Sequence, residues 1–155
     1  IGIEISNPGH NHKYKKFSSK QIYSLIKLLR YLIKKYKIKK QNVLGHSDIS
    51  PNRKKDPGEK FPWKKLAKNK IGIWHNVKER HLRKFRKIKV VNKSKLEFIH
   101  KLKKIGYCFN SRRKGSSIKI IKAFQRHYRK ELINGIIDKE CLIIAKNISK
   151  KIKNP

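Results

Sequence analysis

Apolar residues recur along this chain in two different rhythms. At the start, Ile1, Ile3 and Ile5 alternate with Gly2 and Glu4, the period of a half-buried strand. Glu4 therefore faces away from the isoleucines. Asn7-Pro8-Gly9 then predicts a turn. Ile22, Leu25, Ile26, Leu29, Ile33 and Tyr36 follow at three- and four-residue steps, the stripe of an amphipathic helix. Ser18 and Gln21 form a capping box at its start, and Phe17 and Ile22 are spaced for a hydrophobic staple. A short apolar run, Asn42-Val43-Leu44, predicts a strand ending near His46. Phe61-Pro62-Trp63 opens a short helix to about Leu66, and Ile71-Gly72-Ile73-Trp74 closes the first half.

The second half has the helical rhythm alone. Residues 75–92 are rich in charge and short of apolar periodicity, which predicts a linker with a short strand at Ile88-Lys89-Val90-Val91. Ser94 and Glu97 form a second capping-box pattern, and Leu96, Ile99, Leu102 and Ile105 predict a helix ended by Gly106. Ser117 opens another helix with Ile118, Ile121, Phe124 and Tyr128 on one side. After the Asn134-Gly135 turn, Asp138 caps a third, with Leu142, Ala145, Ile148 and Ile152 inside.

Between the predicted strand and Phe61 lies the stretch with chemistry in it, Gly45-His46-Ser47-Asp48-Ile49-Ser50-Pro51-Asn52-Arg53-Lys54-Lys55-Asp56-Pro57-Gly58. A loop rich in proline and glycine returns Asp56 ten positions after His46, a spacing able to bring an imidazole nitrogen and a carboxylate oxygen to one metal ion. Zinc accepts both donors, and a catalytic zinc usually takes three protein ligands and a water. Lys54 sets a cation beside the pair, where negative charge develops in hydrolysis. His10 and His12, in a polar loop, form a His-x-His pair that could also bind metal; the other readings of His10 are a place in a substrate cleft or simple exposure.

GHSDISPNRKKDPG followed by FPW, with IGIEISNPGH upstream, closely resembles the zinc-dependent type 2 N-acetylmuramoyl-L-alanine amidases, which share the fold of peptidoglycan recognition proteins. The resemblance covers roughly the first half. It implies an α/β amidase domain, a mixed sheet flanked by helices, over 1–74. It implies His46 and Asp56 as zinc ligands, Glu4 as the acid/base group and Lys54 as the stabiliser of the oxyanion. Asn7, His10 and Arg53 fall on the substrate side. Asp48 reads as a loop-capping residue. The family's third ligand is a histidine upstream of the GIEI segment, which this chain lacks, so the chain reads as truncated at its N-terminus. It also begins with Ile and contains no Met.

Ala123-Phe124-Gln125-Arg126-His127-Tyr128, with Gly135 and Asp138 beyond, resembles the small three-helix peptidoglycan-binding domain often appended to such amidases. This implies an all-α domain over 93–155. The expected activity is hydrolysis of the amide between N-acetylmuramic acid and the L-alanine of the stem peptide, by a zinc-activated water. The partner is peptidoglycan or a muropeptide, in the periplasm or cell envelope. The alternatives are a non-catalytic wall binder and a basic nucleic-acid binder.

Composition bears on those alternatives. The chain carries 44 Lys+Arg against 9 Asp+Glu, a formal net charge of +35, which attracts polyanions at long range. The lysines are spread along the whole chain with no signature of a nucleic-acid-binding fold, so no specific nucleic-acid partner is expected. No apolar run approaches a membrane span. Cys108 and Cys141 could pair or remain free thiols.

Overall fold

The computed structural model describes residues 1–109 and 115–152. The parts of the expected 93–155 domain at 110–114 and 153–155 lie outside the described residues. The elements in order are α1 (Ser19–Lys35), a 3-10 turn (Lys40–Asn42), α2 (His46–Ile49), α3 (Trp63–Lys68), α4 (Glu79–Arg83), α5 (Asn92–Ile105), α6 (Ser116–Tyr128) and α7 (Lys139–Ser149).

The expected α/β amidase domain with a mixed sheet is not what is observed, because no strand or sheet occurs among the described residues. Alternation reports that one face of an extended segment is buried, not that a neighbour pairs with its backbone. Residues 1–5 show the difference. Ile3 and Ile5 pack against the core beside α1, but no ladder forms along the segment. The predicted strand before His46 is a 3-10 turn followed by extended chain, and His46 is the first residue of a one-turn helix. The strand expected at 88–91 reduces to one isolated antiparallel bridge between Lys89 and Asp138.

α1 forms as its sequence directs. The Ser18 side chain accepts from the Gln21 N–H, and the Gln21 side chain accepts from the Ser18 N–H, which satisfies two of the donors a helix start leaves unpaired. Ile22, Leu25 and Ile26 are buried with Phe61, Trp63, Leu66 and Ile71. A second core holds Phe98 and Leu102 of α5, Ile120 and Phe124 of α6, and Ile144 and Ile148 of α7. Leu82 of α4 enters this core, and Trp74 packs against both cores.

Two details of the helical half differ from expectation. α5 begins at Asn92 and has no side-chain cap, so Ser94 lies inside its first turn, and Glu97 instead pairs with Lys146 at 2.9 Å. Its buried side is set by Phe98 and Leu102, with Leu96 68% exposed. α7 is capped as expected: Asp138 accepts from the Cys141 N–H at 2.9 Å. Its other oxygen accepts from the Lys87 N–H and the buried Arg129.

Candidate active site

The loop from 45 to 58 is bounded by two glycines that space requires. A Cβ on Gly45 would stand 2.7 Å from the Pro57 ring and 3.0 Å from Trp63. Gly58 has φ +78, and its Cβ would meet Tyr14 Oη at 2.6 Å; a left-handed backbone and crowding both favour glycine there. Between them, the Ser47 N–H donates to the Asp56 carbonyl at 2.8 Å, which draws the far arm of the loop onto the start of α2. The result is that His46 Nδ1 lies 3.1 Å from Asp56 Oδ2.

His46 and Asp56 open onto a cleft of about 590 Å³ whose walls also carry Glu4, Lys54, Asn7 and His10. Six of the seven residues picked from the sequence thus share one cavity. Arg53 is exposed and does not line it. Asn7 spends its side chain on its own loop, accepting from the Gly9 N–H and donating to the Lys15 carbonyl. His10 Nε2 sits 3.0 Å from Glu59 Oε2, and its ring packs on Tyr14. Burial pushes the Glu59 carboxyl up, but the hydrogen bond and charge of His10 outweigh it and hold the group below the usual range. Tyr14 donates to the Pro57 carbonyl at 2.6 Å; burial, aided by nearby Glu59, pushes its phenol up to about 12.

The donor types in this cleft suit zinc, but their number does not. Two ligands are one fewer than a catalytic zinc normally takes, and among the described residues no three His, Cys, Asp or Glu side chains converge on one point. His12 is exposed and His10 is engaged with Glu59, so the His-x-His pair does not make up the count.

Beneath the loop lies a group of residues that sequence reasoning did not bring together. Asp48 is buried and accepts three hydrogen bonds: from the Gly45 N–H at 2.9 Å, Tyr107 Oη at 2.6 Å and His127 Nδ1 at 2.7 Å. Burial pushes its carboxyl up, yet the charge of His127 and these hydrogen bonds prevail and hold it below the ordinary value. His127 is stacked between Trp63 and Tyr128, at ring separations of 3.9 and 4.0 Å. The capping role read for Asp48 is seen in the Gly45 bond. Its two partners from the helical half stand 59 and 79 residues away, a separation at which spacing carries no signal.

Two buried donors to a motif carboxylate, and an imidazole–carboxylate pair on a cleft wall, define a loop braced by a helical bundle. The chain matches the family model of the N-acetylmuramoyl-L-alanine amidases (type 2) over residues 1–59. It is 33% identical over 157 residues to the N-acetylmuramoyl-L-alanine amidase AmiD of Escherichia coli (strain K12), an alignment covering 97% of this chain and 57% of AmiD. The solved complex of E. coli AmiD with anhydro-N-acetylmuramic acid-L-Ala-D-gamma-Glu-L-Lys superposes with a TM-score of 0.77 at 33% identity, over 90% of this chain and 55% of that one. AmpDh3 from Pseudomonas aeruginosa, in complex with anhydromuramic pentapeptide, gives 0.75 at 28% identity, over 90% and 55%. The chain thus spans a little over half the length of AmiD. Cys108 and Cys141 are both free thiols.

Proposed function

We propose that this chain is the site-bearing part of a peptidoglycan amidase that cleaves the bond between N-acetylmuramic acid and the L-alanine of the stem peptide. The observation that carries this reading is the 3.1 Å approach of His46 to Asp56 in a cleft that Glu4 and Lys54 also line. In it, Glu4 accepts a proton from the attacking water and returns it to the leaving amine. Lys54 faces the carbonyl oxygen as negative charge develops on it. His46 and Asp56 are the two side chains of this cleft that would contribute donors to a zinc ion, whose chemistry would be to polarise the scissile carbonyl and acidify the attacking water. Asn7 and His10 shape the cleft wall, and Arg53 meets the outer part of the muropeptide. The helical half is a peptidoglycan-binding-like domain, a reading supported by the AFQRHY run on α6, and the cell envelope is its proposed location.

The test is release of stem peptide from anhydro-muropeptide in the presence of zinc, with bound zinc measured on each variant. Glu4→Gln is nearly isosteric and cannot accept the proton, so it should keep the parent's metal content and lose about a hundred- to ten-thousand-fold in rate. Lys54→Ala should also spare metal and slow turnover, whereas Asp56→Ala should lose both. Unchanged cleavage by Glu4→Gln would remove Glu4 from the mechanism. Muropeptide binding without cleavage by the parent chain would favour the second reading, a non-catalytic wall binder, to which the two-donor count lends weight.

A further inference from the structure

The contacts under the 45–58 loop give the helical half a role that a tethered binding module would not have. Four residues of that half reach the loop. Tyr107 and His127 bond to Asp48, Lys119 donates to the Asn52 carbonyl at 3.3 Å, and Asn52 donates to Ser116 Oγ at 3.4 Å. Ser116, Lys119 and His127 all lie on α6, so one helix supports the loop at both its start and its middle. Asp48 is the join. One of its oxygens takes the Gly45 N–H next to His46 and the His127 imidazole, and the other takes Tyr107. The stack of Trp63, His127 and Tyr128 fixes the imidazole ring in the plane that reaches Asp48.

We propose that His127 and Tyr107 are positioning residues for the site: acting through Asp48, they hold the 45–58 loop in the conformation that sets His46 beside Asp56. The helical half is then a bracket for the active-site loop as well as any wall-binding surface it offers. The bracket stands on contacts to the loop itself. Only its consequence for catalysis rests on the amidase reading, so the test is made without an activity assay.

Amide hydrogen exchange on the full chain, followed residue by residue, reads the loop directly. His127→Phe keeps an aromatic ring in the stack and removes the donor. Exchange at Gly45, Ser47 and Lys54 should rise about tenfold or more, while α5 and α7 keep their protection. The NMR cross-peak between the His46 ring and Asp56 should weaken in parallel. His127→Asn loses the ring but returns a donor near the Nδ1 position, and it should restore most of the loop protection. Tyr107→Phe deletes one hydroxyl; it should show the same pattern in weaker form, and it decides the matter alone if His127→Phe does not fold. Loop exchange that is unchanged, or that rises equally with α5 and α7, would overturn the proposal, as would failure of Asn to outperform Phe at position 127.

Discussion

Asp48 holds three donors in a space closed to water, and its removal should cost more than any exposed charge in the chain. Asp48→Ala would leave the Gly45 N–H, Tyr107 Oη and His127 without their acceptor. Breaking a buried ion pair on one side costs about 3–5 kcal/mol, and urea unfolding of the variant should read a loss of that order. The sign of the pH dependence follows from the lowered folded value. A carboxyl whose folded pKa lies below its ordinary 3.8 adds stability that is complete above 3.8 and is lost as pH falls through the folded value. Acid unfolding of the parent should therefore be steeper below that point than that of Asp48→Asn, which has no carboxyl there to titrate. Equal acid profiles would show that Asp48 adds no linkage. At this scale the sequence is informative where the side chains that share the cleft lie within one loop. His46, Lys54 and Asp56 sit within ten positions, and the turn chemistry between them limits where they can go. His127 was not legible, because its partner is reached only through the packing of α6 against α2.

Among the elements, caps were read from sequence most dependably, since a cap is a local hydrogen bond between residues three apart. Ser18 and Asp138 both cap as expected, yet they should not weigh equally. Ser18→Ala removes an exposed cap and should cost about 1 kcal/mol. Asp138→Ala removes the α7 cap and the buried partner of Arg129 together, so it should cost several times that, about 3–5 kcal/mol. Thermal unfolding of the two variants side by side checks the ranking, and equal losses would mean that the Arg129 pair contributes nothing. Ser94 shows the limit of the method: its pattern matched a capping box, but α5 starts two residues earlier. The strands failed for a related reason. A helix closes its own hydrogen bonds, so periodicity and caps suffice to specify it. A strand needs a partner, and neither 1–5 nor 88–91 carries any local mark of whether one is present. Leu96 and Ile118 each fit an apolar stripe yet stand exposed, because the packing of α5 and α6 turns the faces bearing Phe98 and Ile120 to the core instead.

For the whole molecule, the net charge of +35 separates bulk attraction from recognition. Lysines lie along the entire chain, so a long polyanion meets them wherever it lands and releases its counterions when it does. Binding of that kind weakens steeply with salt; a protein touching six or more phosphates loses about a thousandfold or more between 50 and 200 mM. Random-sequence DNA and polymeric wall fragments should both follow this law, whether or not either is a ligand. A small anhydro-muropeptide seated in the cleft beside His46 and Asp56 touches few of the lysines. Its affinity should fall far less over the same range. Measuring all three by fluorescence anisotropy at several salt concentrations therefore divides the signal that charge alone gives from the signal the cleft adds. A muropeptide that dissociates as steeply as DNA would mean that the cleft confers no recognition of its own. DNA binding that is sequence-selective and persists at 200 mM salt would overturn the amidase reading and make a nucleic acid the partner.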